Sequence, residues 1–206
     1  MTAIQALDYL GVAVFAASGA LVASRKQLDL IGFGLLATLA GIGGGTLRDL
    51  LIARPVFWVN DQGYLAACLI VALAVYLYCP FIAQRYRWVL WADALGLAAY
   101  GVLGADIALK AGVGPLVAIV MGVLTSTFGG IARDLIAGEP PVALQQEIHA
   151  TAALVAAAAF VGLTLAGVGA LIAFPLCALA GFALRAGAIL RGWELPRYRP
   201  RPGGEH

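Results

Sequence analysis

The sequence predicts an all-α integral membrane protein of seven transmembrane helices, arranged as an inverted 3+3 repeat plus a seventh helix. Three observations carry this. Apolar residues make up 62% of the 206 residues and charged ones 12%, with a mean hydropathy of +0.93, whereas a soluble domain carries about 25% charge. The apolar residues fall into stretches of about 20, the length a helix needs to cross a hydrocarbon core of about 30 Å. The chain also matches itself when slid by 85 residues.

The stretches run over 6–24, 31–53, 62–83, 89–109, 115–138, 147–166 and 168–190. The first carries Asp8 where a secretory leader would have a basic region, so it reads as a span rather than a cleaved signal. Arg25-Lys26-Gln27 follows the first span and Gln84-Arg85-Tyr86-Arg87 the third, while only Gly167 to Gly169 divide the last two. Together these predict one transmembrane domain over 1–190, with repeat 1 at about 5–84, repeat 2 at about 89–166 and the extra helix at about 168–190, then a basic tail over 191–206. Seven spans put Arg25, Lys26, Arg85, Arg87, Arg191, Arg197, Arg199 and Arg201 on one side, and only Arg54 and Lys110 in the loops of the other. Because lysine and arginine stay in the cytoplasm, the N-terminus is expected outside and the C-terminus inside. Trp58, Trp88, Trp91 and Trp193 fall near the expected interfaces, where indoles anchor.

Several chemistries are excluded. A formal charge of +2 on loops and tail gives no nucleic-acid footprint. Cys68, Cys79 and Cys177 stand singly in apolar runs, without metal-ligand spacing. Gly41-Ile42-Gly43 fails the dinucleotide fingerprint because Thr46 occupies the third glycine position. With no P-loop or nucleophile elbow either, no enzyme, cofactor or structural metal site is expected.

The 85-residue offset aligns 8–55 with 93–140, and fourteen positions coincide. Alanine, leucine and glycine matches are cheap in this composition. The coincidences of Asp8 with Asp93, Arg48-Asp49 with Arg133-Asp134, and Pro55 with Pro140 are not, and they imply a duplication. Three spans per copy is an odd number, so the second copy enters the membrane in the opposite direction.

The second and fifth spans carry the most informative residues. One holds Gly43, Gly44, Gly45, Thr46, Arg48 and Asp49; the other holds Ser126, Thr127, Gly129, Gly130, Arg133 and Asp134. Consecutive glycines disfavour a regular helix by about 1 kcal/mol each in water, so a kink or an unwound turn is one expectation. Close packing along the small ridge of Ala37, Gly41 and Gly45 is the other. At about 100° per residue, Gly41, Gly45 and Arg48 share a face, as do Ser126, Gly130 and Arg133, and a polar path is expected along it. Intramembrane Arg and Asp must face the bundle interior or a cavity. They either flank that path or tie to carboxylates such as Asp8 and Asp93. Asp106 and Lys110, four apart, read as a surface pair, and His149 as interfacial.

The two GG-x-x-RD segments, Gly44 to Asp49 and Gly129 to Asp134, together with the three-plus-three-plus-one layout, resemble the bacterial members of the trimeric intracellular cation (TRIC) channel family. That family is allied to the two-repeat proteins labelled putative glycine transporters. The resemblance covers about residues 5–190. It implies a homotrimer among membrane lipids, each protomer holding a cation pore lined by the second and fifth spans, with potassium as the main permeant ion and sodium also passing. Carried over residue by residue, it implies Gly43, Gly44, Gly45, Gly129 and Gly130 at bends, with Arg48, Asp49, Arg133 and Asp134 beside the path. The animal channels carry a basic lipid-binding stretch in the fifth span; only Arg133 stands there in this chain, so the resemblance points to a bacterial plasma (inner) membrane rather than to phosphoinositide control.

Two functions follow as expectations. A monovalent cation channel would use Thr46, Ser126, Thr127 and carbonyls near the glycines as oxygen contacts. A carrier for a small zwitterion such as glycine would use Arg48 or Arg133 to hold the carboxylate.

Overall fold

The computed structural model describes residues 3–79, 85–144 and 148–195. Arg197, Arg199 and Arg201 of the basic tail, and the expected ends of the third and sixth spans at 80–83 and 147, lie outside them. The helices are α1 (Ala3–Arg25), α2 (Leu30–Leu51), the short α3 (Phe57–Asn60), α4 (Gly63–Tyr78), α5 (Arg85–Lys110), α6 (Pro115–Ile136), α7 (Ala150–Leu165) and α8 (Ala170–Arg191). A 3-10 turn, Val142–Leu144, precedes α7.

The protein is an all-helical membrane protein. Five helices, α1, α2, α5, α6 and α8, are long and apolar enough to cross a membrane. Helices α4 and α7 are apolar but hold 16 residues each, about 24 Å at 1.5 Å per residue, short of the expected spans. They stand at equivalent places in the two halves.

The helix ends show how the duplicated sequence folds twice. Ala53 at the end of α2 and Gly138 at the end of α6, 85 residues apart, both adopt left-handed backbone, with φ of 53° and 67°. In both, the next N–H returns to the Asp carbonyl of the RD pair: Arg54 N to Asp49 O and Glu139 N to Asp134 O, each at 2.8 Å. This is the 6→1 closure of a Schellman motif, which satisfies a carbonyl the helix leaves over. Asp29 caps the start of α2 through Gly32 N at 2.8 Å, and Pro115 opens α6, where a missing N–H costs nothing.

Packing follows the same symmetry. Helix α1 lies against α2 and α4, and α5 against α6 and α7, while the halves join through α1 with α5 and α2 with α6. Helices α1 and α5 run antiparallel: Tyr100, past the middle of α5, meets Asp8 in the first turns of α1, and Asp93, earlier on α5, meets Ser18 farther along α1. The two halves are therefore inverted copies. Helix α8 packs on α5 and α7, outside the symmetry.

The unwound turn expected at the glycines is absent, because α2 is α-helical at every residue from Leu30 to Leu51 and α6 from Pro115 to Ile136. What the glycines permit is contact between backbones. A Cβ on Gly44 would overlap the Thr125 carbonyl, and one on Gly129 would overlap that of Ala40. These contacts are related by the 85-residue offset in both partners, so α2 and α6 cross at Ala40/Gly44 and Thr125/Gly129. The ridge of Gly41 and Gly45 instead meets its own half, Cys68 and Phe57 respectively.

Candidate functional site in the bundle core

Two polar clusters lie at opposite ends of the α1, α2, α5 and α6 core, one from each copy of the RD motif. In each, the Asp is held by its chain. Asp49 Oδ2 accepts from Phe57 N at 3.0 Å, and Asp134 Oδ2 from Val142 N at 3.1 Å. These carboxylates fasten the start of the short helical turn that follows each span. Their Oδ1 atoms accept from the neighbouring arginines, Arg48 Nε at 2.9 Å and Arg133 Nε at 2.8 Å. All four side chains are buried.

Beyond this shared frame the clusters differ. Arg133 donates from Nη1 and Nη2 to the two oxygens of Asp93, at 2.7 and 2.9 Å, and Nη1 also lies against Ser18 Oγ. Ser18 in turn donates to Asp93 at 2.5 Å. A two-point guanidinium–carboxylate pair with its remaining valences filled is the form in which such charges tolerate burial. The equivalent Asp8 makes no hydrogen bond with Arg48 among the described residues. It accepts from Tyr100 Oη at 2.7 Å and Tyr64 Oη at 2.9 Å, and the Arg48 guanidinium sits 5.9 Å from the Phe57 ring centroid. The sequence expectation of an arginine–carboxylate tie thus holds for Arg133 with Asp93, while Arg48 pairs with its neighbour Asp49.

Between the clusters lie the helix crossing and its hydroxyls. Thr46 Oγ1 donates to Ile42 O at 2.7 Å and accepts from Trp58 Nε1 at 2.9 Å, so Trp58 is tied to the core rather than serving only as an interfacial anchor. Thr127 and Ser126 both donate to Val123 O, at 2.7 and 3.0 Å, which leaves their oxygen lone pairs available as acceptors. Gly43 and Gly130 have ordinary clearance, about the room a methyl needs, with nearest neighbours at 3.7 Å.

A cavity of about 620 Å³ opens at the Asp8 end, lined by Asp8, Arg54, Asp106 and Lys110 among others. Lys110 bonds Asp106 at 2.6 Å, the expected pair, although only Lys110 is exposed and Asp106 is buried. At the other end, Arg25 and Lys26 both bridge Glu139, at 3.2 and 3.4 Å.

Sequence reasoning passed over Ser18, Tyr64, Tyr100 and Arg185. Arg185 is fully buried on α8, and a single charge inside an apolar span was signal enough to find it. His149, expected at an interface, is buried too, and it stands 85 residues after Tyr64. Among the described residues no group of three His, Cys, Asp or Glu side chains has metal-site geometry.

With this geometry in hand, comparison with known proteins places the chain. A family profile described as Glycine transporter matches it twice, over residues 5–80 and 90–165. The TRIC trimeric intracellular cation channel orthologue from Rhodobacter sphaeroides superposes with a TM-score of 0.91 at 48% identity, covering 94% of this chain and 100% of that one. The chain belongs to this TRIC and two-repeat glycine-transporter family. A second TRIC cation channel structure shares 28% identity over 98% of this chain and 100% of its own, with a TM-score of 0.88. A membrane protein of Vibrio cholerae is 41% identical over 72% of this chain, and the match spans 63% of that protein, less than two thirds of its length. The inner membrane protein YadS of Escherichia coli K12 is 39% identical over 72% of this chain and 73% of its own. The solved structures are cation channels by name and the family profile is described as a glycine transporter; neither description is that of an enzyme.

Proposed function

We propose that the protein is a monovalent cation channel of a bacterial inner membrane, potassium-permeable and homotrimeric, with a path inside each protomer between α2 and α6. The observation that carries this reading is the 48% identity and TM-score of 0.91 to the Rhodobacter TRIC channel orthologue over nearly the whole chain. The core suits it: two buried polar clusters at opposite ends, with buried hydroxyls near the crossing whose oxygens are free to accept. Gly43, Thr46, Ser126, Thr127 and Gly130 would border the ion, and the two RD pairs would brace the helices around it. Permeant potassium or sodium would be the only non-protein requirement, with no cofactor. Purified protein in a planar bilayer under a potassium gradient should give discrete current steps reversing near the potassium potential. A silent bilayer with folded, inserted protein would overturn the reading.

A second reading is favoured by one specific feature. The 620 Å³ cavity at the Asp8 end carries both signs, Asp8 and Asp106 with Arg54 and Lys110, which suits a zwitterion, and the family profile is described as a glycine transporter. A carrier would saturate and would move labelled glycine into liposomes at rates far below channel conduction.

A further inference from the structure

The duplication allows the two ends of the core to be compared residue by residue. Glu139 on the turn after α6 is the counterpart of Arg54 on the turn after α2. Both begin at the same closure, their N–H groups returning to the Asp carbonyl at 2.8 Å. Arg25 at the end of α1 is the counterpart of Lys110 at the end of α5, and Leu21 the counterpart of Asp106. Two of these positions have exchanged character, and the structures of the two ends differ accordingly.

At the Lys110 end, Lys110 is taken by Asp106 on its own helix at 2.6 Å, and the facing turn offers the like-charged Arg54. Among the described residues no ion pair joins the turn to the helix end, where Ile52 alone of the turn packs on the α5 core, and a cavity of about 620 Å³ reaches in to Asp8. At the Arg25 end, position 21 is a leucine and offers no carboxylate, so Arg25 reaches across to Glu139 at 3.2 Å and Lys26 joins at 3.4 Å. One carboxylate thus ties the α1–α2 turn to the turn after α6. Beneath it, Val22, counterpart of the cavity-lining Ile107, is 1% exposed.

We infer that Glu139, held by Arg25 and Lys26, is a latch that keeps the Arg25 end of the path shut, and that Arg54 at the equivalent position leaves the other end open. The inference rests on the channel reading for its consequence, but the latch itself is a matter of access. Partly exposed ion pairs are individually weak, so the latch biases an equilibrium rather than locking it, by about fivefold for the two pairs together.

Two readouts test it. In bilayers, Glu139→Gln should raise the ratio of open to closed time about fivefold with unitary conductance unchanged, and Glu139→Arg combined with Arg25→Glu and Lys26→Glu should restore wild-type gating. An open probability unchanged in Glu139→Gln would overturn the latch. In liposomes, Val22→Cys should react with a polar methanethiosulfonate several-fold faster when Glu139→Gln is also present; the native thiols, all buried, give little background. Equal labelling rates in protein shown to be folded by gel filtration would overturn it too. If wild-type protein passes no cation current at all, the channel reading falls, while the labelling comparison still decides whether this end is latched.

Discussion

Arg133 on α6 holds both oxygens of Asp93 on α5, at 2.7 and 2.9 Å, with neither side chain more than 2% exposed. Neither side chain reaches bulk solvent, so each charge leans on its protein partners. Removing one partner of such a pair strands the second, at about 3–5 kcal/mol. Asp93→Ala should therefore lower the unfolding midpoint in detergent sharply. The double variant Asp93→Leu with Arg133→Met should lose less than Arg133→Met alone, because it strands only Asp134, whereas the single variant strands Asp93 as well. Thermal unfolding of the single and double variants, read as a double-mutant cycle, measures the difference.

The glycines divide into two kinds, and substitution should separate them. Gly44 and Gly129 lie where any Cβ meets the backbone of the opposite helix, Thr125 O and Ala40 O, and a backbone cannot step aside as a side chain can. Alanine at either should cost about 3 kcal/mol, the upper end of overpacking penalties, and loosen the α2–α6 crossing. Gly43 and Gly130 have neighbours at 3.7 Å, ordinary contact. Alanine there should leave stability within about 1 kcal/mol of wild type, helped by its better helix propensity. Gly130 is the cleaner position for testing conduction, since a change in current at Gly130→Ala would not be a folding defect.

The turns after α2 and α6 differ in a way that stability can report. Position 138 uses glycine at φ 67°, while the equivalent Ala53 adopts φ 53° with a side chain. The left-handed region costs a non-glycine residue about 1–2 kcal/mol, part of which glycine returns in chain entropy. Ala53→Gly should raise the unfolding midpoint slightly, by up to about 1 kcal/mol, and Gly138→Ala should lower it by a similar amount. Equal and opposite shifts would mean that the two turns are equivalent in energy as well as in shape.

Much of this was readable from the chain. Hydropathy gives the fold class because lipid leaves the backbone only helices or closed barrels, and the coincident Asp8/Asp93 and RD pairs give the duplication. The face each glycine presents was not readable. Gly41 and Gly44 differ by three positions and both suit a small-residue ridge, and only the tertiary arrangement turns Gly44 to α6 and Gly41 to Cys68. The differences between the copies escaped for another reason. An offset search rewards matches, so Tyr64 against His149 and Arg54 against Glu139 score nothing, although these exchanges give the two ends their distinct chemistry.

Asp8 provides the most direct test of whether the open end serves cations. Lys110 is neutralised by Asp106 at 2.6 Å, so the charges that set the field in the cavity are Asp8 and Arg54. Replacing Asp8 by Asn keeps a polar group for Tyr64 and Tyr100, which now hold the carboxylate at 2.9 and 2.7 Å, and leaves the cavity net positive. Cations would then be repelled where they enter. Unitary conductance of Asp8→Asn should fall on the order of two- to threefold in dilute salt, where a mouth of one sign concentrates or expels ions. The deficit should shrink toward 1 M salt, where the screening length is about 3 Å. A conductance loss that persists at high salt would place Asp8 in the ion's own coordination rather than in the surrounding field, and no loss at either salt would remove this cavity from the path.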